Sequence, residues 1–245
     1  MPIEPKQRMR KLDYPKADIY LLATNPYEDW RALSCEKEPG TVKWLEENVR
    51  ADDVIYDLGA NVGPYSFIAA HLLEGSKGLV YAVEPSAPNF AALFVNTAMN
   101  VKTHLVWPLQ IALANTDRLL HLHHSDIMTG AASHSLANDP TESSHPVPTW
   151  RLDTARSFYK LRRPNLIKLD VDGAEYDVLQ GATRTLWDAE LRSVLVEVNE
   201  EIETWTRIEA LMKSCGFRVA EKQPIVSSQS TSIRNWIFMR EREVV

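Results

Sequence analysis

From Asp53 onward, short apolar runs ending in glycine or an acid alternate with longer helical stretches, and this alternation restricts the fold more than any other feature. "DVIYDLG", "GLVYAVEPS", "NLIKLDVDG" and "SVLVEVNE" have strand length and strand composition. "PYSFIAAHLLEG", "APNFAALFVNTAMN", "AEYDVLQGATRTLW" and "ETWTRIEALMKSCG" are the helices between and after them. Strands joined through helices require a mainly parallel, doubly wound α/β sheet. "FRVAEK" and "NWIFMR" have no helix between them, so the last strand is expected to insert antiparallel. Upstream, "TVKWLEENV" places Val42, Leu45 and Val49 on one helical face with Thr41 as the expected N-cap. "LVWPLQIALA" is a third extended segment, weakened by Pro108.

The rhythm fails before the main domain and again in its middle. Residues 1–35 are rich in proline and charge and are expected to form an arm or lid, with the main domain spanning 36–245. Residues 115–150 contain the alternating "RLLHLHHSD" and a run dense in small residues, turn formers and proline, expected as an insertion or mobile loop. At 245 residues the chain suits one domain with such additions. The net charge is −6, but residues 1–16 carry five basic and two acidic side chains, which leaves −9 on the body. An acidic body argues against gripping nucleic-acid phosphates, and the basic terminus is expected to be frayed and solvated. The two cysteines, Cys35 and Cys215, suggest no disulfide framework, and neither a bilayer-spanning run nor a secretory signal is evident, so a cytoplasmic protein is expected.

The first strand–helix turn, "YDLGANVGPYS", carries the cofactor signal. Asp57 ends the strand, Gly59 permits a tight backbone turn, and Gly63 clears space before the helix that Pro64 begins. A dinucleotide fingerprint needs a third glycine where Asn61 stands, and Pro64 has no N–H for a pyrophosphate, which disfavours a nicotinamide oxidoreductase. Glu84, at the end of the next strand, is spaced to accept hydrogen bonds from both ribose hydroxyls. A ribose, an amino-acid portion for the glycine turn and a sulfonium that favours carboxylates describe S-adenosylmethionine.

With "EPGTVKWL", "YDLGANVGPYSFIAA", "VEPSAPNF", "IALAN", "IKLDVDGAEYDVLQGA" and "LVEVNE" in this order, the chain resembles the FkbM-family methyltransferases, a branch of the class I S-adenosylmethionine-dependent enzymes. The likeness runs from about Glu38 to Asn199, and "NWIFMR" resembles the usual last strand. One departure is Asp172, where the family more often has glutamate; the sign of the charge survives. The resemblance implies a Rossmann-like class I methyltransferase fold, a seven-stranded sheet with an antiparallel last strand. It implies cofactor contacts from Glu38 and Thr41, from Asp57, Gly59, Ala60, Asn61, Gly63, Tyr65 and Ser66, from Glu84, Pro85 and Ser86, and from Ala112 and Asp170. It also implies O-methyl transfer to a hydroxyl of a small molecule, whether natural product, sugar or glycan, with residues 115–150 selecting it. A nucleic-acid methyltransferase and a catalytically silent S-adenosylmethionine-binding module are the alternatives.

A hydroxyl attacks a methyl group only as its proton leaves, so a base or a metal is needed. In "IKLDVDGAEYDVLQGA" a regular strand sends Ile167, Leu169 and Val171 to one side and Lys168, Asp170 and Asp172 to the other. Asp170 is expected to position donor or acceptor, with Asp172 or Glu175 as the base; Asp172 as a helix N-cap and Glu175 as a partner of the helix dipole are the plainer roles. A divalent metal on Asp170, Asp172 and Glu197 is the rival mechanism. His121 and His123 share a strand face in "HLHH", and His134 and His145 are a candidate acid–base pair in the variable segment. Tyr65, Trp150 and Trp236 are candidate stacking partners, with core packing as their default role. The arm either closes the site or pairs two chains as a homodimer.

Overall fold

The structure is a computed structural model that describes residues 8–226 and 232–241. In chain order its elements are β1 (Met9–Lys11), β2 (Tyr20–Leu22), α1 (Pro26–Arg31), α2 (Ser34–Lys37), α3 (Pro39–Asn48), β3 (Val54–Leu58), α4 (Pro64–Leu72), β4 (Leu79–Val83) and α5 (Ala87–Met99). Then come β5 (Val106–Leu109), β6 (Ala112–Leu113), β7 (Arg118–His123), β8 (Ser135–Ala137), β9 (Ser144–Trp150), α6 (Leu152–Tyr159) and β10 (Leu166–Leu169). The last are α7 (Glu175–Gln180), α8 (Thr183–Leu186), β11 (Ser193–Asn199), α9 (Thr204–Ser214), β12 (Phe217–Pro224) and β13 (Ile233–Arg240).

Seven strands form one sheet in the order β12-β13-β11-β10-β3-β4-β5. All neighbours are parallel except those of β13, which runs antiparallel between β11 and β12. This is the expected Rossmann-like class I architecture. From β3 the chain steps outward through β4 and β5, then returns to β10 on the other side, so the order reverses between β3 and β10. Beyond the carboxyl ends of those two strands a crevice must open, because the flanking helices diverge there. Pro108 sits in β5, the edge strand, where its missing N–H leaves no ladder bond unmade.

The sheet is buried on both faces. Val54, Tyr56, Leu58, Ile167 and Leu169 pack in one core layer with Leu179 and Met212. Ile55, Val80, Leu166 and Leu195 pack in the other, against α3 and α4 through Trp44, Leu45, Phe67 and Ile68. Four elements depart from the sequence-based expectations. The alternating "RLLHLH" is strand β7, but the run of small residues and proline after it is not simply a mobile loop: it supplies β8 and β9, and β6, β9, β7 and β8 form a second, four-stranded sheet in that order. Pro146 and Pro148 are tolerated because β6 pairs only with Thr149 and Trp150, leaving the proline stretch of β9 open on that side. Helix α6 fills a stretch without an expected element, burying Leu152 and Ala155. The stretch after Gly173 is two short helices, because Gly181 lies under Ala114: a Cβ there would sit 2.2 Å from the Ala114 carbonyl oxygen. Helix α3 starts at Pro39 with Glu38 at the N-cap, so Thr41 is inside the helix and not its cap.

The terminus is not frayed over the residues described. Leu12, Tyr14, Ile19 and Leu21 are buried in the α3/α4-side core, and β2 is tied to α5 by the Asn96 side chain, which accepts from Leu22 N–H at 2.8 Å. Its cations are paired: Arg8 and Arg10 with Asp29, Lys11 with Asp18, Lys16 with Glu46. Lys6 lies outside the described residues. Both cysteines are free thiols, Cys215 buried. Among the described residues no helix is long and apolar enough to cross a membrane.

Candidate active site

The crevice predicted by strand order is present as a cleft of about 1100 Å³. Its floor is the carboxyl edge of the sheet: Gly59 after β3, Glu84 after β4, Asp170 after β10 and Glu197 near the end of β11. The inserted sheet supplies one wall, through Leu120, Leu122, Leu136 and the Ser133–His134 stretch, and Tyr27, Trp30 and Arg31 of α1 supply another.

The glycine turn is held open by steric necessity. Gly59 has φ +83 and Gly63 has φ +99, the left-handed region that a side chain resists. A Cβ on Gly59 would fall 1.7 Å from the Asp170 carbonyl oxygen, so β3 and β10 approach closely only because residue 59 has none. Asn61 adopts φ +51 between them and donates its side-chain N–H to the Ala131 carbonyl at 2.8 Å, tying the turn to the insertion. Glu84 is buried, 4% exposed, and its two oxygens accept the backbone N–H groups of Asn61 and Ser86 at 2.8 Å each. Burial pushes its carboxyl up to about 7, against those two hydrogen bonds. A carboxylate has about four acceptor sites, so two remain for donors arriving from the cleft.

The charged side of β10 does not face water at Lys168. Its side chain is 3% exposed, with the ammonium 3.1 Å from Asp170, 3.6 Å from Asp57 and 5.1 Å from the Tyr65 ring centre. A parallel strand covered on both faces has no solvated side, so a cation there needs buried anions. Burial would raise the Asp170 carboxyl, but Lys168, Lys37 and Arg31 outweigh it and hold it below its ordinary value. Asp57 is raised by burial, and its other oxygen accepts the Ser66 hydroxyl at 2.5 Å. Asp170 therefore faces the cleft as an anion with its counter-ion underneath.

Beyond Leu169 the strand stops, and Asp172 turns back with φ +57. Asp172 is not an N-cap, since α7 starts from Ala174; its Oδ2 accepts the His134 backbone N–H at 3.3 Å. Burial and then Asp170 raise its carboxyl. Glu175 is not among the residues that line the cleft, and its Oε1 accepts the backbone N–H groups of Val171 at 3.1 Å and Gly173 at 3.0 Å. It holds the loop that carries Asp172.

At the geometry's level a fold alone does not name an activity, but the comparison with known families does: the model of the methyltransferase FkbM domain matches residues 57–219. The chain belongs to this family. It is a methyltransferase. It is 28% identical over 176 residues, 72% of this chain and 68% of the relative, to the hexuronic acid methyltransferase AglP of Haloferax volcanii. It is 27% identical over 204 residues, 72% of this chain and 77% of the relative, to the 31-O-demethyl-FK506 methyltransferase FkbM of Streptomyces tacrolimicus. Among solved structures, methyltransferase FkbM from Methylobacillus flagellatus shares the fold with a TM-score of 0.57 at 12% identity, over 87% of this chain and 52% of that one.

Of the residues implied as cofactor contacts, Gly59, Asn61, Glu84, Pro85, Ala112 and Asp170 line the cleft of the methyltransferase. The others lie behind it. Ala60 and Gly63 shape the turn, and Ser86 serves Glu84 through its backbone. Tyr65 donates its hydroxyl to the Ser34 carbonyl at 3.0 Å. Glu38 accepts the Thr41 hydroxyl at 3.0 Å and the Asn235 amide at 3.1 Å, a buried knot that braces α3 on β13. Trp236 is core, and Trp150 packs on Phe158 and Tyr159. Among the described residues no three His, Cys, Asp or Glu groups converge as metal ligands. His134 and His145 do not form an isolated pair: His124 is in ring contact with both, and its Nε2 is 2.8 Å from His145 Nδ1. His123 Nε2 binds the Asp139 carbonyl at 2.7 Å.

Arg31 was not legible as a site residue, and Glu197 entered only as a candidate metal ligand. Glu197 gave one signal, an acid near the carboxyl end of a parallel strand. Asp170 first, then burial, push its carboxyl up to about 9. In the unfolded chain that proton leaves near pH 4.5, in the fold near 9. The cost of ionising it is absent below the lower value and grows through the interval. Glu197→Gln is therefore expected to match the wild type at pH 4.5 and to exceed its stability increasingly toward pH 9, by up to about 6 kcal/mol, in denaturant titrations. Equal stabilities at the two pH values would show that the acid is not held protonated.

Proposed function

We propose that this methyltransferase moves a methyl group from S-adenosylmethionine to a hydroxyl of a small molecule or glycan. The observation that carries the reading is Glu84: a buried carboxylate with spare acceptor sites beside a turn that only glycine fits, both opening on one cleft with Asp170. That donor set suits the cofactor. Glu84 would hold the ribose hydroxyls, the Gly59–Gly63 backbone the amino-acid portion, and Asp170 the cationic end. The bound cofactor supplies the electrophilic methyl group.

The chain's own task is then to orient the acceptor and take its proton, since a hydroxyl with a pKa near that of water, about 15.7, does not ionise unaided. Asp172 lines the cleft beside Asp170 with a raised pKa, and we assign it the proton; Glu175 positions its loop. Among the described residues the carboxylates do not meet as a ligand set for a divalent ion. The relatives named for a hexuronic acid and for 31-O-demethyl-FK506 support a small-molecule acceptor over a nucleic acid. We assign acceptor selection to the insertion at about 115–150, cover of the cleft to residues 1–35, and the reaction to the cytoplasm.

Calorimetric titration with S-adenosylhomocysteine tests the cofactor assignment. Micromolar binding is expected, and Glu84→Ala should weaken it by about 1.5–3 kcal/mol. In the wild type the affinity should fall as pH drops below about 7, where Glu84 becomes protonated and loses acceptor sites. No binding by a folded, cofactor-free sample would make the glycine turn mere architecture.

A further inference from the structure

Helix α1 contributes three side chains to the cleft that the cofactor reading leaves unused: Tyr27, Trp30 and Arg31. The helix is short but firmly placed. Asn25 caps it by accepting the N–H groups of Tyr27 and Glu28, and donates its own amide to the Thr129 hydroxyl at 2.7 Å. Tyr27 donates its hydroxyl to Asp126 at 3.0 Å, which fixes the ring against the insertion. Gly130, with φ +85, lets that loop approach so closely that a Cβ would meet Glu28 N and the Tyr27 carbonyl carbon at 3.0 Å.

Arg31 is anchored at one point only. Its Nε donates to the Gly130 carbonyl at 3.0 Å, and no other hydrogen bond or ion pair holds its guanidinium among the described residues. The two terminal nitrogens are thus fixed in direction yet unpartnered. Their charge reaches the floor of the cleft, where burial raises the carboxyls of Glu84 and Asp172 and Arg31 opposes it. Of the three cations that line the cleft, Lys37 is already paired with Glu38, Arg118 is exposed on the edge of the insertion, and Arg31 is held against the cleft wall with no anion. A guanidinium held by Nε presents a two-pronged fork that matches a carboxylate. Beside it, Trp30 is 49% exposed and Tyr27 40%, an arrangement that wastes apolar surface unless something packs on it.

We propose that α1 is the acceptor subsite for an acidic sugar: Trp30 and Tyr27 receive the apolar face of the pyranose ring, and Arg31 takes its carboxylate. This deepens the hydroxyl-acceptor reading above and rests on it. The subsite makes the arm, and not the insertion alone, a determinant of specificity. A neutral sugar would leave the fork unpaired, and discrimination by a charge-assisted bidentate contact is worth roughly tenfold or more.

The test is calorimetric titration of the full chain with methyl β-glucuronoside and, separately, methyl β-glucoside, each with and without saturating S-adenosylhomocysteine. The glucuronoside should bind about tenfold or more tightly than the glucoside. Arg31→Gln should bring the glucuronoside down to the glucoside's affinity, Arg31→Lys should restore part of the difference, and Trp30→Ala should weaken both sugars alike. Melting temperatures of the variants establish that they fold. Failure to prefer the glucuronoside overturns the subsite. So does an Arg31→Gln variant that keeps the preference but loses S-adenosylhomocysteine affinity, because the fork would then serve the cofactor's own carboxylate. Loss of S-adenosylhomocysteine binding in the wild type is a separate result, which strikes the methyl-donor assignment while the sugar titrations without it still decide this one.

Discussion

Lys168→Met is expected to cost the protein about 3–5 kcal/mol at pH 7, the effect of leaving buried charges without their counter-ion. Stability of an ordinary domain is about 5–15 kcal/mol, so the variant should sit near the edge of folding. The reason is specific: Asp57 and Asp170 lie 3.6 and 3.1 Å from one ammonium, and the lysine side chain is 3% exposed. Methionine matches the stem but neutralises nothing. Without the cation both carboxyls should titrate at higher pH in the fold than in the unfolded chain. Their penalty is then absent at low pH and grows as pH rises through the folded values. Denaturant titrations should show the deficit smallest near the unfolded aspartate value of 3.8 and largest at neutrality. A deficit that does not change with pH would mean that Lys168 contributes packing and not charge.

Gly59→Ala is expected to cost about 3–5 kcal/mol and to abolish S-adenosylhomocysteine binding. Two causes add. The φ of +83 disfavours any side chain by about 1–2 kcal/mol. The larger cause is that the new Cβ would lie 1.7 Å from the Asp170 carbonyl oxygen, which cannot move aside as a flexible side chain does. Relief requires β3 and β10 to part at their carboxyl ends, breaking the bond from Asp170 N–H to the Leu58 carbonyl, now 3.0 Å. Gly173→Ala is the control. Its φ is +101 but nothing lies within 4 Å of the added Cβ, so only the backbone cost of about 1–2 kcal/mol should appear. Equal losses at the two positions would show that the close approach at Gly59 is not what fixes the residue.

The two substitutions also mark where sequence reasoning works. Gly59, Gly63 and Glu84 were legible because their demands are local: a backbone that must turn left-handed tolerates few residues, and an acid at a strand end has a known outlook. The surroundings of Lys168 stayed open because an alternating strand looks the same whether its second face meets water or a buried anion. The later part of residues 115–150 looked like a loop because Pro146 and Pro148 forbid a central strand, and nothing local shows that their missing N–H groups face an unpaired side. Glu175 looked like a base by its place after Gly173, yet its carboxylate is spent on Val171 and Gly173.

By itself, the sequence determined the elements that burial and backbone sterics dictate one residue at a time: the parallel strands, the glycine turn, the acid after the second strand of that fold and the family. Tertiary structure alone decided which charges are neutralised, which are tied to backbone and which are left facing the cleft. Arg31 and Glu197 are 166 residues apart, and only the folding of α1 over the sheet brings both to one cavity. Charge is a long-range property, so its meaning at each residue is set by neighbours that the local sequence does not contain.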